Sequence, residues 1–196
     1  MTAAPTIVAV CGSLRDASYT RTALAYVLDA AADAGAETEL IDLRDHDLPV
    51  YDPDGNEPAV ATALRRRIRA ADGVALGSPV YHSSYSAAFR NLHDYCSYDD
   101  YEETVVGLVA TAGGGSYGST LEHMRSTLRG VHAWVLPRQV GIRNASEKFV
   151  ADAGAIDGRA FADERLAERV ETLGADLAHY AASGPAARRE LASRSS

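Results

Sequence analysis

Residues 8–25 read "VAVCGSLRDASYTRTALA", and this stretch decides the fold. An apolar run stops at Gly12 and a short loop of hydroxyls and arginines follows. A helical spacing then begins, with Leu24, Val27, Leu28 and Ala31 on one stripe. A strand that feeds through a tight loop into an amphipathic helix is the opening half of a β–α–β crossover. The alternation recurs down the chain. Further apolar runs are "ETELIDL" (37–43), "GVALG" (73–77), "TVVGLVA" (104–110) and "HAWVL" (132–136), after "TIVAV" (6–10). Several are nearly continuous in apolar character, as parallel strands covered on both faces must be. The stripes between them carry Leu64 and Ile68, then Phe89, Leu92 and Cys96, then Leu121, Met124 and Leu128, then Leu166, Val170, Leu173 and Leu177. Five rounds of strand and helix predict a three-layer α/β sandwich on a parallel sheet, and right-handed crossovers leave the doubly wound topologies.

The 196 residues carry a formal net charge of -8, so nucleic acid or an anionic membrane surface is not the expected partner, although a local patch can still hold a small anion. Two cysteines make no disulfide framework and fit a reducing compartment. The first apolar run is too short to span a membrane and has no positively charged leader, so the expected location is the cytoplasm. No internal repeat or linker interrupts residues 1–183, read as one domain. Residues 43–58 and 137–160 read as turn-rich loops, and residues 184–196 as a solvated tail.

In a doubly wound sheet, ligands sit beyond the carboxyl ends of the strands. Three Gly/Ser/Thr-rich loops fall there: "CGSLRDASYTR" (11–21), "SPVYHSSYSAAFRN" (78–91) and "TAGGGSYGST" (111–120). The first offers the hydroxyls of Ser13, Ser18 and Thr20, the guanidinium of Arg15, a second candidate in Arg21, and free amides at a helix start. Those are the parts of an anion site. Ser18 or Thr20 could instead simply cap the helix, but a cap needs one such residue and the loop supplies three. In the second loop Pro79 stiffens the turn and Tyr81 suits the rim of a planar ring, or else covers the sheet edge. The glycines of the third let backbone approach a flat ligand.

Other motifs compete with this reading. The first loop is neither a Walker A nor GxGxxG. Cys11 lacks the Cys-x5-Arg spacing of a low-molecular-weight phosphatase, since Ala17 stands where the arginine would be, and is read as a small core residue. Gly114-Gly115-Ser116-Tyr117-Gly118 matches the GxSxG nucleophile elbow, leaving a serine hydrolase using Ser116 as a rival. Its histidine would have to be His123, His132 or His179, none from a late loop; His179 lies about 140° from Leu166 around its helix, toward solvent. The six histidines lack metal-ligand spacing, so no metal is expected and they are read as surface or supporting residues. The acidic run "YDDYEE" (98–103) is read as a solvated loop, with its tyrosines as an alternative lining of a subunit contact.

With the loops placed, the chain resembles the NADPH-dependent FMN reductase family, flavodoxin-like proteins that include azo-, quinone- and chromate-reducing enzymes. "GSLRDASYT" is similar to its phosphate loop G-S-x-R-x-x-S-x-N/T, "DLPVYDPDG" to the linker after its second strand, and "ADGVALGSPVYHSSYSAAFRNLHDY" to its A-D-G-hydrophobic-T-P-x-Y-N segment ending L-K-N-x-x-D. The similarity spans residues 6–180. It implies a five-stranded parallel sheet in the order 2-1-3-4-5, and FMN with its phosphate on Ser13, Arg15, Ser18 and Thr20. Pro79, Val80, Tyr81 and His82 would flank the ring, with Gly113, Gly114, Gly115, Ser116 and Tyr117 on its other edge.

The implied reaction is a ping-pong hydride transfer from NADPH or NADH to the flavin N5 and on to a small electron acceptor: a quinone, azo compound, metal oxyanion or free flavin. Tyr81 and His82 are candidates for the acceptor pocket, with no catalytic acid or base required. Relatives pair into homodimers or homotetramers. Departures fall at Val80 (commonly Glu), His82 (Asn), Ser86-Ala87 (Pro-Gly) and Arg90 (Lys). Val80 resembles the branch that serves flavin-dependent monooxygenases, so the departures bear on the substrate rather than the cofactor. A flavodoxin-type electron carrier without NAD(P)H turnover is the second reading.

Overall fold

Parallel strands with apolar residues on both faces need helices on both sides, and that is the observed arrangement. A computed structural model of the chain describes residues 3–184. Strands β1 (Thr6–Cys11), β2 (Glu37–Asp42), β3 (Gly73–Pro79), β4 (Val105–Thr111) and β5 (Trp134–Ile142) form one parallel sheet in the order β2-β1-β3-β4-β5, as expected. Helices α1 (Tyr19–Asp33) and α7 (Glu164–Ala182) cover one face; α2 (Ala59–Ala70), α3 (Ala87–Tyr95) and α5 (Gly118–Gly130) cover the other. Every apolar stripe residue named above is buried. No described helix is long and apolar enough to cross a membrane. Apart from Gly184, the expected tail lies outside the described residues.

The stretch expected as a loop over 137–160 is instead structured. β5 runs on through Pro137 to Ile142, and its register with β4 slips between Val106 and Leu108. Proline lacks a donor and breaks strand periodicity, but β5 is an edge strand and the irregularity absorbs it. Beyond it come α6 (Ala145–Lys148) and an antiparallel hairpin of β6 (Phe149–Ala151) and β7 (Arg159–Phe161). The hairpin packs on α1: Tyr19 stacks on Phe149 at 5.2 Å between ring centroids, and the Arg159 guanidinium lies 5.4 Å from the Tyr19 ring centre.

Two further expectations are corrected. The acidic run does not form a loop: residues Tyr98–Tyr101 make the short helix α4 with Asp100 and Tyr101 buried. Asp100 tolerates burial because Arg65 and Arg69 donate to its two oxygens at 2.9 and 3.0 Å and the Ser97 N–H adds a third bond. His93 is the other exception, only 7% exposed, with its ring between Phe89 and Tyr101. Its helical position put it beside the Leu92 stripe, which a search for metal spacing could not reveal.

Burial, and then the Arg90 charge, hold the His93 imidazole below its ordinary pKa, against opposing pulls from Asp94 and the Thr127 carbonyl. The folded protein therefore favours the neutral ring, while the unfolded chain takes the proton near about pH 6.5. This contribution to stability is complete above about pH 6.5 and drains away as pH falls. The expected result is that the fall in melting temperature between about pH 7.5 and 5 shrinks in His93→Phe, as followed by circular dichroism.

Candidate functional site

The carboxyl ends of β1, β3 and β4 meet at one edge of the sheet, and the three loops are locked together there. The Gly12 N–H donates to the Gly77 carbonyl at 2.8 Å, and Ser86 Oγ donates to the Gly12 carbonyl at 2.6 Å while accepting the Phe89 N–H at 3.1 Å. A Cβ at residue 12 would lie 2.9 Å from Phe89 Cβ, so only glycine lets the first loop press this close to the start of α3. The Val80 N–H donates to the Thr111 carbonyl at 2.8 Å, and the hydroxyls of Thr20 and Thr111 share a bond at 2.5 Å. These bonds tie the three loops to one another.

The first loop is rich in unspent donors. Ser18 is the N-cap of α1, accepting the Arg21 N–H at 3.1 Å, which satisfies one orphan amide. The N–H groups of Asp16, Ala17, Ser18, Tyr19 and Thr20 find no acceptor among the described residues. They cluster at the positive end of a 15-residue helix. Arg15 is exposed and its guanidinium has no hydrogen bond or ion pair among the described residues. Arg21 is otherwise engaged: it reaches Asp157 Oδ1 at 3.2 Å, Asp42 Oδ2 at 3.5 Å and the Asp16 carbonyl at 3.0 Å. It is a brace of the loop rather than a free cation.

Of these donors, Arg15, Tyr19 and Thr20 line a cleft of about 220 Å³, while Asp16, Ala17 and Ser18 lie outside its lining. Of the residues singled out in the sequence, Ser13, Arg15, Thr20, Pro79, Val80, Tyr81 and Gly113 line it. Ser18, His82, Gly114, Gly115, Ser116 and Tyr117 do not. Ser18 is buried beneath the loop with its hydroxyl committed to the cap. Residues 81–84 form a turn closed by paired bonds between Tyr81 and Ser84, and His82 and Ser83 occupy its two central positions at φ 49° and 64°. That tips the exposed His82 away from the cleft wall that Tyr81 forms. Gly114 to Ser116 are exposed beyond Gly113. Tyr117 lies over Gly141, where any Cβ would collide with its ring.

The rival motifs find no catalytic geometry. Burial pushes the Cys11 thiol up to about 11, so it is a protonated core group rather than a nucleophile. Ser116 is not among the residues with positive φ, the strain expected of an elbow, and its Oγ takes the Gly118 N–H at 3.2 Å. His123 Nδ1 meets Ser84 Oγ instead, His132 lies against Tyr98, and the exposed His179 lies against Tyr180.

Five lining residues were not legible beforehand: Tyr19, Thr111, Ala112, Ala145 and Ser146. Thr111 and Ala112 lie next to the glycines, and Tyr19 sits at the first helical position of α1, inside the quoted stretch. Ala145 and Ser146 were hidden because β5 was expected to end six residues early; the Ala145 N–H in fact donates to the Ala112 carbonyl at 2.9 Å, which brings them in.

Residues 5–147 match the family model described as NADPH-dependent FMN reductase. An NADPH azoreductase of Bacillus sp. (strain OY1-2) is 35% identical over 137 residues, covering 68% of this chain and 74% of its own. An FMN-dependent NADPH-azoreductase of Staphylococcus aureus (strain USA300) is 28% identical over 142 residues, covering 69% and 76%. Among solved structures, the flavoenzyme NAD(P)H:(acceptor) oxidoreductase FerB of Paracoccus denitrificans superposes with a TM-score of 0.73 at 21% identity, covering 90% of this chain and 97% of that one. A flavodoxin from the domain Archaea gives 0.64 at 12% identity, covering 90% and 98%. These two show a shared flavodoxin-like fold.

Proposed function

Because the chain belongs to the NADPH-dependent FMN reductase family, an oxidoreductase family that uses FMN and NADPH, we propose that the cleft at the ends of β1, β3 and β4 is its flavin site and that an azo compound or quinone is its acceptor. The observation that carries this reading is that the start of α1 at Tyr19 and Thr20, whose amides have no acceptor among the described residues, lines the cleft beside Arg15. Such a donor set fits a phosphate ester: amides at a helix start meet one guanidinium able to supply bidentate charge. Ser13 adds a hydroxyl, while the Thr20 hydroxyl is tied to Thr111 and Ser18 holds the helix start from below.

The chemistry of the cleft changes along its length. Pro79, Val80 and Tyr81 lie beside Thr111, Ala112 and Gly113 at the ends of paired strands, a largely apolar backbone floor that suits a planar heteroaromatic ring. When bound, FMN supplies a ring that accepts hydride from NADPH and passes electrons to a second substrate. The protein's share is to position and exclude: the paired bonds of the 81–84 turn fix Tyr81 at the rim, and the glycines leave the opposite edge open to a second flat molecule. Orientation rather than proton transfer is the role this reading gives the lining residues. The azoreductase relatives support an azo acceptor, and Val80 in place of a carboxylate makes that wall neutral. Delivery of reduced flavin to a monooxygenase, and a homodimer that shields the exposed Leu14, Val50 and Tyr81, belong to the same reading.

The test is spectroscopic and kinetic. The purified protein, loaded with FMN, is expected to bleach on anaerobic addition of NADPH and to oxidise NADPH with a quinone or azo dye faster than free FMN does. Turnover no faster than free FMN would sink the acceptor reading and leave only an electron carrier.

A further inference from the structure

The β1–α1 loop is braced from outside by two arginines that do not line the cleft. Arg44 donates from Nη1 to the Leu14 carbonyl and pairs with the Asp16 carboxylate. Arg21 donates from Nη2 to the Asp16 carbonyl at 3.0 Å. In a trans peptide the carbonyl and the following N–H point in opposite directions. Fixing the Leu14 and Asp16 carbonyls therefore turns the N–H groups of Arg15 and Ala17 away from the two arginines. The Arg15 N–H lies 3.4 Å from Ser13 Oγ, and that of Ala17 has no acceptor among the described residues.

The braces have their own anchors. Asp42, at the end of β2 and almost fully buried, accepts the Arg44 N–H at 3.2 Å on one oxygen and Arg21 Nη1 at 3.5 Å on the other. Asp157 accepts Arg21 Nε at 3.3 Å and Nη2 at 3.2 Å on Oδ1, and the Thr22 hydroxyl at 2.7 Å on Oδ2. Arg159 stands 3.7 Å from the same carboxylate. Asp157 sits at φ 53°, in the turn between β6 and β7. A non-glycine residue held in the left-handed region by this many partners is strain that the surrounding contacts maintain. That hairpin lies beyond residue 147, outside the segment the family model matches.

We infer that Arg21, Arg44 and Asp157 are positioning residues for phosphate recognition: the two arginines orient the loop's amides by holding its carbonyls, and the hairpin's Asp157 fixes Arg21 in that task. This rests on the reading of the cleft as a flavin site. Its consequence is selective, because a brace on the loop that would carry the phosphate affects a phosphorylated flavin and not one that lacks the group.

The experiment measures binding of FMN and of riboflavin to the apoprotein by quenching of flavin fluorescence, for the wild type, Asp157→Asn, Asp157→Ala and Arg44→Ala. Asp157 is a surface turn residue, so its variants keep the sheet and core, and circular dichroism confirms folding. The wild type is expected to favour FMN strongly. Asp157→Ala and Arg44→Ala are each expected to cut the FMN-to-riboflavin preference about tenfold, with riboflavin affinity unchanged and Asp157→Asn between them and the wild type. Variants that leave the preference intact, or weaken both flavins by one factor, overturn the positioning role while the flavin site stands. A wild type that binds both flavins equally overturns the phosphate reading itself, and the positioning role with it.

Discussion

Gly174→Ala is expected to lower the melting temperature by about 5 °C, although alanine is the better helix former. Gly174 lies in the middle of α7, where that helix packs on α1. A Cβ there would run into the Val27 carbonyl oxygen and come within 3.0 Å of Ala30 Cβ and 3.1 Å of the Ala31 nitrogen. Two of these obstacles are main-chain atoms of a neighbouring helix, which cannot step aside as a flexible side chain could. Propensity favours alanine by about 1 kcal/mol. Overpacking at the upper end of its usual range costs about 3 kcal/mol, so the steric effect wins by about 2. At this chain length about 2–4 °C accompanies each kcal/mol. Gly130→Ala, at the end of α5 with open space around it, is the control and is expected to be neutral or slightly stabilising under the same thermal scan. Equal melting temperatures for Gly174→Ala and the wild type would show that α1 and α7 can separate at no cost.

The second large effect concerns the ligand. Arg15→Ala is expected to raise the dissociation constant for FMN about 30-fold, the loss of one charge-assisted pair to a partly exposed anion. The guanidinium has no competing partner among the described residues, so nothing in the protein is left unsatisfied when it goes and the fold should be untouched. Arg15→Lys should recover only part of the affinity, because an ammonium replaces the charge but not the bidentate fork. Fluorescence titration reads both variants, and unchanged affinity in Arg15→Ala would remove Arg15 from the site.

The two predictions differ in how much of their basis could be read before folding. Arg15, in a loop between an apolar run and a helical stripe, is legible as a residue of the cleft because loop composition and strand order place it at that edge of the sheet. Gly174 is not legible: a glycine within an amphipathic pattern reads as a weak spot, and only the packing of α7 on α1 turns it into a requirement. Ser18 and Arg21 show the same limit inside one short loop. Both have the right chemistry for phosphate, yet Ser18 is consumed as a helix cap and Arg21 by Asp42 and Asp157, partners 21 and 136 residues away from it.

What the residues determined unaided was the alternation of strand and helix, the parallel sheet, and the edge at which its three chemistry-bearing loops gather. Those follow from hydrophobic periodicity and chain handedness, which are local and need no knowledge of distant contacts. Tertiary structure alone decided which hydroxyls and cations remain free to meet a ligand. It carried β5 past Pro137 at a sheet edge, brought Ala145 and Ser146 to the cleft, and folded the 149–161 hairpin back onto α1. A polar side chain's availability depends on every partner the fold brings within about 3 Å of it, and that inventory exists only once the chain has closed on itself.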